Sequence, residues 1–168
     1  GLSSKSSNIK PVFYGNLRSN SDINLINSIG SHYNLSLIGI LDKSIVKTIK
    51  NYQYLGQLDS SNLIKIMNHY NLIVLPYNDD EFSKTIAPAK YFEALATGAL
   101  IVTSADMNHL PGFSDFVLQI KPDSVGFKEK IDLAFEEHKL KRNDQISFAS
   151  DNLWESRFKS LFNFMELK

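Results

Sequence analysis

Cysteine is absent from this sequence, and so is an excess of charge of either sign. Without cysteine the chain has no disulfide, no thiolate nucleophile and no metal site with sulfur ligands, which favours a reducing, cytoplasmic compartment. Lys plus Arg and Asp plus Glu number 18 each, so the basic surplus of a nucleic-acid binder is missing. The four histidines lack metal-ligand spacing, so we predict no metal and expect surface or loop-packing roles for them. They are His32, His69, His109 and His138.

Long apolar runs are missing as well. No run approaches the roughly 18 residues that a membrane-spanning helix needs, and the opening GLSSKSSNIK has no hydrophobic signal core. We therefore expect a soluble protein. Residues 1–10 are rich in Ser, Lys and Asn and resemble the end of a linker or a cloning remnant, with sequence removed upstream. At 43% hydrophobic content, the chain can bury the core of one compact domain over residues 11–168.

Short β-branched or aromatic runs alternate with helical patterns along this domain. The alternation predicts an α/β fold, a doubly wound, Rossmann-like parallel sheet of about six strands with helices on both faces. Predicted strands cover residues 12–14, 35–41, 52–55, 72–75, 100–103 and 116–120, and predicted helices cover residues 22–29, 44–49, 60–70, 87–97 and 124–139. Such sheets bind ligands outside the carboxyl ends of their strands, so function is sought in the loops there.

The first of these loops is YGNLRSNSD. Gly15 is expected to end the first strand, and Asp22 is expected to cap the helix that follows. A glycine here lets the backbone approach a ligand, the amides of a helix start favour an anion, and Arg18 adds a fork of donors. A phosphate fits this loop, and an ordinary βα turn with a solvated arginine is the alternative.

The most informative segment is LPYNDDEFSKTIAPAKYFEALATGALIVTS, which runs from one buried strand through a helix into the next. Pro88 suits the first turn of this helix, and Gly98 suits the left-handed position just past its end. Helical spacing places Phe92, Leu95 and Ala96 on one stripe, which we expect to face the core.

Lys90 and Glu93 are three residues apart and share another edge of this helix, near its start. Lys90 and the amides around Ala87 suit a diphosphate, and the Glu93 carboxylate suits a ribose diol because it can accept two hydroxyl protons. The alternative is a surface ion pair worth less than about 1 kcal/mol.

The string PAKYFEALATGALIVT resembles the donor-binding helix and following strand of GT-B glycosyltransferases of the group 1, family 4-like superfamily. In the same order, YGNLRSNSD resembles the first loop of that family, LSLIGI its second strand, YLGQLDSSNLIKIM the segment beside the nucleotide base and NLIVLPY the strand before the donor loop. SDNLWESRFKSLF resembles the long terminal helix. The resemblance covers the chain from about residue 11 onward and implies the carboxyl-terminal, donor-binding domain of a two-domain enzyme.

The resemblance also implies roles for single residues. Lys90 and Arg18 become the groups that stabilise charge on the leaving diphosphate, and Glu93 binds the donor ribose. Many relatives carry a second glutamate eight positions before the ribose carboxylate; Thr85 stands there, which leaves donor-sugar contacts and retaining stereochemistry open. The implied nucleotide-sugar-binding residues are Gly15, Asn16, Arg18, Gly56, Thr85, Ile86, Ala87, Lys90 and Glu93.

For the whole enzyme, the resemblance implies hexosyl transfer from a nucleotide sugar to a glycan or related acceptor, in cell-surface polysaccharide biosynthesis. A UDP-sugar is expected over a GDP-sugar, with no cofactor and no metal. The acceptor site is expected on an amino-terminal domain that this chain lacks, so the chain alone is expected to be inactive. Peripheral membrane association of the full-length enzyme is also compatible with the resemblance.

A response-regulator receiver domain is the alternative, because IVTSAD and LQIKPD resemble its switch-threonine and lysine-proline segments. A receiver needs acidic residues after its first strand and a phosphoacceptor aspartate after its third. The corresponding strands here end in Tyr14-Gly15 and Leu75-Pro76. The acidic triplet of residues 79–81 is expected to be a solvated loop and not a metal site.

Overall fold

The computed structural model describes residues 8–85 and 88–152 of the chain. One parallel sheet contains β1 (Pro11–Leu17), β2 (Leu35–Leu41), β3 (Tyr52–Tyr54), β4 (Leu72–Val74), β5 (Leu100–Thr103) and β6 (Val117–Gln119). The helices within the described residues are α1 (Ile23–His32), α2 (Lys43–Val46), α3 (Ser60–Met67), α4 (Ala89–Thr97), α5 (Phe113–Phe116) and α6 (Phe127–Asp151). The predicted α/β, Rossmann-like fold is confirmed.

Helices cover both faces of the sheet. One apolar cluster packs α1, α2 and the first half of α6 against one face, and a second packs α3, α4, α5 and the end of α6 against the other. Strands β4 and β5 are buried along their whole length, as parallel strands covered on both faces are. Burial on both sides explains why they read as continuous apolar runs and not as alternating patterns.

The strand order across the sheet is β3-β2-β1-β4-β5-β6. The chain moves outward from β1 to β3 and then returns to the other side of β1, so the order reverses between β1 and β4. Strand β1 pairs with β4 at Pro11 and Val12, but with β2 as far as Leu17. Sheets of this order bind ligands where the strand order reverses, at the carboxyl ends of the strands.

Several predicted boundaries are confirmed. The strands predicted at residues 35–41 and 100–103 coincide with β2 and β5. Asp22 caps α1, because its carboxylate accepts a hydrogen bond of 3.0 Å from the Leu25 amide. Gly98 ends α4 with a φ of 67°, which glycine adopts without the steric penalty of a β-carbon.

Other local predictions are wrong. Gly15 does not end the first strand, since β1 continues to Leu17. Pro88 is the N-cap of α4 and not part of its first turn. Ala96 is exposed, and the buried alanine of the apolar stripe is Ala94.

The sequence prediction also missed α5 and ended α6 too early. Helix α5 is a single turn of four residues and has no side-chain cap, so it offers no periodicity to detect. Helix α6 continues past the predicted end at residue 139 to Asp151. The terminal-helix segment SDNLWESRFKSLF covers residues 150–162, and its residues 153–162 lie outside the described residues. No helix within the described residues has the length and apolarity that crossing a membrane requires.

Two buried polar side chains attach α6 to the end of α4. Gln145 is fully buried, and its Nε2 donates to the carbonyls of Leu95 at 3.0 Å and Ala99 at 3.1 Å. His138 is also buried, and its Nε2 lies 3.1 Å from the Gly98 carbonyl oxygen. Burial lowers the pKa of His138, because a charged ring would lose its hydration. The expected surface or loop-packing role is therefore wrong for His138, which fixes one helix on another.

We expect Gln145→Ala to destabilise the fold by about 1–3 kcal/mol, because it removes two buried hydrogen bonds and leaves the Leu95 carbonyl with the Gly98 amide as its remaining donor. Thermal unfolding would measure this as a drop of several degrees, at roughly 2–4 °C per kcal/mol. Lys139→Gln is the control on the same helix: it removes an exposed ion pair with Glu136 and should cost less than about 1 kcal/mol. Equal losses of stability in the two variants would show that the Gln145 hydrogen bonds do not hold α6 against the end of α4.

Candidate functional site

Three glycines lie near the carboxyl ends of β1, β2 and β3. Gly15, Gly39 and Gly56 all have positive φ, at 121°, 119° and 79°. A Cβ on Gly39 would lie 2.1 Å from the Gly15 carbonyl oxygen, so no other residue fits there without moving the backbone. The Gly39 amide donates to the Gly56 carbonyl at 2.8 Å. The three glycines expose backbone near this end of the sheet, which we call the glycine surface, and the Tyr54 hydroxyl donates to the Gly39 carbonyl there at 2.7 Å.

Lys90, in the first turn of α4, reaches back to this surface. A Cβ placed on Gly15 would lie 2.4 Å from the Lys90 Nζ, so the glycine provides the space that the ammonium occupies. The Nζ also lies 4.4 Å from the centre of the Tyr14 ring, within the range of a cation–π interaction. Burial lowers the pKa of Lys90, and the nearby Glu93 carboxylate opposes this effect.

Glu93 lies one turn further along α4, on an exposed part of the helix. Its Oε2 accepts a hydrogen bond of 3.4 Å from the Tyr14 hydroxyl. Burial and the Glu93 carboxylate both raise the pKa of Tyr14, and the same two effects raise the pKa of Tyr77 to about 12. Both phenols therefore keep their protons at neutral pH and can act as hydrogen-bond donors beside the carboxylate.

The amino end of α4 has no side-chain cap. Pro88 is the N-cap residue and makes no capping hydrogen bond, so the first amides of this helix and its positive dipole end face the site. The amino end of α1 differs, because the Asp22 carboxylate occupies it and also accepts from the Ser104 hydroxyl. An anion at this edge of the sheet is therefore favoured at α4 over α1.

The structure brings Lys90 beside Gly15 and close to Glu93, and the binding roles of these three residues stay predictions. Asn16 and Arg18 are both exposed at the end of β1. The Arg18 backbone forms a tight turn, since its amide donates to the Ser21 hydroxyl at 3.2 Å. The side chains of these two residues stay predictions as ligand contacts.

The remaining predicted residues lie further along the same edge or beyond what the structure describes. Gly56 follows β3, and a Cβ there would meet nothing within 4 Å, so the surface above it is open. The Thr85 hydroxyl donates to the Phe82 carbonyl at 2.9 Å within a turn. Ile86 and Ala87 lie outside the described residues.

Tyr14 and Tyr77 belong to the site, and the sequence prediction missed both. Each tyrosine adjoins a segment that the sequence did single out, Tyr14 before Gly15 and Tyr77 after the fourth strand. No spacing rule connects Tyr14 to Glu93, which is 79 positions away in the chain. Only the parallel sheet and the packing of α4 against it bring them into contact.

The acidic segment of residues 79–81 engages neighbours within the protein. The Asp79 carboxylate contacts the Lys121 ammonium and accepts from the Asp106 amide. Asp80 accepts from the Ser83 amide, and Glu81 forms an ion pair with Lys84 at 2.9 Å. Within residues 8–85 and 88–152, no group of acidic or histidine side chains is arranged to hold a metal ion.

No protein-family model matches the chain, and no curated protein matches its sequence. Solved structures do match its fold. The carboxyl-terminal domain of a glycosyl transferase group 1 family protein, LpcC, from Francisella tularensis has a TM-score of 0.60 at 10% identity, over 85% of each chain. A mutant of BGT from T4 phage in complex with UDP-glucose has a TM-score of 0.62 at 14% identity, over 90% of this chain and 45% of that one.

AviGT4, a glycosyltransferase involved in avilamycin A biosynthesis, has a TM-score of 0.54 at 10% identity, over 88% of this chain and 50% of that one. This chain thus spans about half the length of two of these enzymes and most of the LpcC domain. At such low identity the likeness shows the fold, which is that of one half of a GT-B glycosyltransferase.

The receiver alternative fails on its chemistry and not on its topology. Apart from the short edge strand β3, the order β2-β1-β4-β5-β6 is the 2-1-3-4-5 order of a receiver domain. The strands that would carry the acidic residues and the phosphoacceptor aspartate are β1 and β4. Strand β1 has Tyr14-Gly15 at this position and β4 leads into Leu75-Pro76, so the side chains that receiver chemistry needs are missing there.

We expect Gly15→Ala to push the Lys90 ammonium out of its place, because the new methyl group would occupy it. The pKa of Lys90, measured by NMR titration of its side chain, should rise towards its ordinary value as the ammonium returns to water. The control is Gly126→Ala, also at positive φ but with ordinary contacts. Both variants should lose about 1–3 kcal/mol to backbone strain, and only the first should move Lys90. An unchanged pKa of Lys90 in Gly15→Ala would show that the Lys90 ammonium does not occupy the space beside Gly15.

Proposed function

We propose that this chain is the nucleotide-sugar-binding half of a glycosyltransferase with GT-B architecture. The observation that carries the proposal is the pair formed by Lys90 and Glu93. Both lie at the uncapped start of α4, beside the glycine surface at the point where the strand order reverses. This arrangement offers a cation, free amides and a carboxylate to one ligand. A nucleoside diphosphate carries the complementary groups, two phosphates and a ribose diol.

The diphosphate binds at Lys90 and the first amides of α4. The helix dipole and the ammonium stabilise negative charge, and the absence of a side chain at Gly15 lets a phosphate approach the backbone closely. During transfer, charge develops on the leaving diphosphate, and a preorganised cation lowers the barrier most where that charge appears. Arg18, at the end of β1, supplies a second cation from the opposite side.

The ribose binds at Glu93. An ionised carboxylate is an acceptor with two oxygens, so it can accept hydrogen bonds from both hydroxyls of a vicinal diol. The nucleotide base then extends along the strand ends towards the open backbone at Gly56. This direction follows the row of glycines from β1 to β3.

The acceptor and the remaining catalytic groups belong to a second, amino-terminal domain of the same enzyme. The likeness to about half of AviGT4 and of the T4 phage enzyme supports this division, and the transferase is therefore inactive without that domain. UDP-glucose in the phage structure supports a UDP-sugar as donor over a GDP-sugar. A glycan acceptor in cell-surface polysaccharide biosynthesis, in the cytoplasm or at the membrane surface, completes the proposal.

We expect the 168-residue chain to bind UDP saturably, and more tightly than GDP, in isothermal titration calorimetry. EDTA should leave both affinities unchanged, since amides and cations hold the diphosphate without a metal. Saturable binding of neither nucleotide would refute the donor-domain proposal. Binding that EDTA abolishes and Mg²⁺ restores would refute its metal independence and direct attention to Asp79.

Glu93→Gln should lower UDP affinity by roughly one to two decades, which corresponds to the 1.5–3 kcal/mol of a hydrogen bond to a charged group. The melting temperature should hardly change, because the side chain is exposed and keeps its size. The control ligand is 2′,3′-dideoxy-UDP, which lacks the hydroxyls and should lose little affinity. Equal losses for both ligands would show that Glu93 acts indirectly, and no loss for either would remove it from the site.

A further inference from the structure

The structure contains two clusters in which one tyrosine contacts both a lysine and a carboxylate. The first, remote from the site, links α1 to α6. The Tyr33 hydroxyl donates to Asp132 Oδ1 at 2.9 Å, and the Lys128 Nζ lies 5.6 Å from the centre of the Tyr33 ring. Lys128 and Asp132 also form an ion pair with each other. In this cluster the two charges neutralise each other directly.

The second cluster is the one at the site. Lys90 lies over the face of the Tyr14 ring and Glu93 accepts from its hydroxyl, but Lys90 and Glu93 are not among the ion pairs formed by the described residues. Ion pairs do form at the same spacing of three residues elsewhere in this chain, between Glu81 and Lys84 for example. The spacing alone therefore does not keep the charges of Lys90 and Glu93 apart.

We propose that Tyr14 is a positioning residue that holds Lys90 and Glu93 apart, so that the first is kept for the diphosphate and the second for the ribose. This inference rests on the proposed function. Tyr14 is only 5% exposed, so packing in the core fixes its ring. Its face and its hydroxyl then offer two fixed attachment points, one for a cation and one for a carboxylate.

The physical benefit is preorganisation. An exposed lysine and glutamate on one helix face sample many rotamers and also pair with each other. A ligand that binds them must therefore break this ion pair and restrict the rotamers of both side chains. With the ammonium on the ring and the carboxylate on the hydroxyl, each group already stands at its own end of the ligand. The raised pKa of Tyr14 supports this role, because the hydroxyl remains a donor throughout the neutral range.

Two substitutions separate the attachment points. Tyr14→Phe keeps the ring under Lys90 and removes the hydroxyl from Glu93, so UDP affinity should fall by about 2- to 10-fold, the effect of one hydrogen bond. Affinity for 2′,3′-dideoxy-UDP should stay unchanged. Tyr14→Leu also removes the ring and lets Lys90 pair with Glu93, so both ligands should lose affinity, by about 10-fold or more for UDP.

A ligand-free measurement tests the same idea. In Tyr14→Leu the Lys90 ammonium leaves the ring for the Glu93 carboxylate, so the pKa of Lys90 should rise above that of the unmodified chain in an NMR titration. Adding Glu93→Gln to Tyr14→Leu should cancel most of this rise. A pKa of Lys90 that does not move in Tyr14→Leu would overturn the inference, whether or not the chain binds nucleotide.

Tyr33→Phe is the matched control, since it removes a tyrosine hydroxyl from a carboxylate of the same kind of cluster. It should lower the melting temperature and leave the affinities for both ligands unchanged. If the unmodified chain binds UDP but Tyr14→Phe weakens the binding of UDP and of 2′,3′-dideoxy-UDP equally, the role of Tyr14 is refuted and the donor site stands. The same conclusion follows if Tyr14→Phe weakens the binding of neither ligand. If the unmodified chain binds no nucleotide, the proposed function fails with it.

Discussion

The positive-φ backbone at the paired glycines Gly15 and Gly39 of β1 and β2 is the constraint on which the rest of the site depends. A β-carbon on Gly39 would overlap the Gly15 carbonyl, and one on Gly15 would overlap the Lys90 ammonium. The two glycines thus leave room for the Gly15 carbonyl and the Lys90 ammonium where the sheet meets the start of α4. Both have a positive φ that other residues adopt only with strain. Contacts within this chain therefore require glycine at both positions: the neighbouring strand at Gly39 and the Lys90 side chain at Gly15.

Helix α4 connects that place to the rest of the molecule. Its start carries Lys90 and Glu93, and its buried stripe, which includes Tyr91 and Leu95, fixes its rotation about its own axis. Its end is held by α6, through the hydrogen bonds of Gln145 to the carbonyls that follow the last turn. Because one helix carries both the core contacts and the charged groups, a shift at its carboxyl end would also move the site. The hydrogen bonds of Gln145 and His138 thus fix the position of α6 against α4 more specifically than apolar packing alone would.

Local sequence determined most of the secondary structure. The runs that became β2 and β5 and the stops at Asp22 and Gly98 follow from residue-level physics: apolar continuity, a capping carboxylate and a left-handed glycine. The resemblance of PAKYFEALATGALIVT pointed to the fold that the solved structures share. The single-turn α5 and the polar second half of α6 escaped prediction because neither carries an apolar period of its own.

The residues of the site also include some that the sequence predicted and others that only the structure revealed. The sequence could place Lys90 and Glu93 side by side, because side chains three residues apart on a helix lie on one edge. Whether these two side chains pair with each other could not be predicted, because the spacing also allows an ion pair. The contacts that hold them apart come from Tyr14, which is 79 positions from Glu93. Sequence alone also offered two helix starts as anion sites, and the two differ in the structure, since the Asp22 carboxylate caps α1 whereas α4 has no side-chain cap. Contacts between distant segments depend on strand order and helix packing, which short-range patterns do not encode.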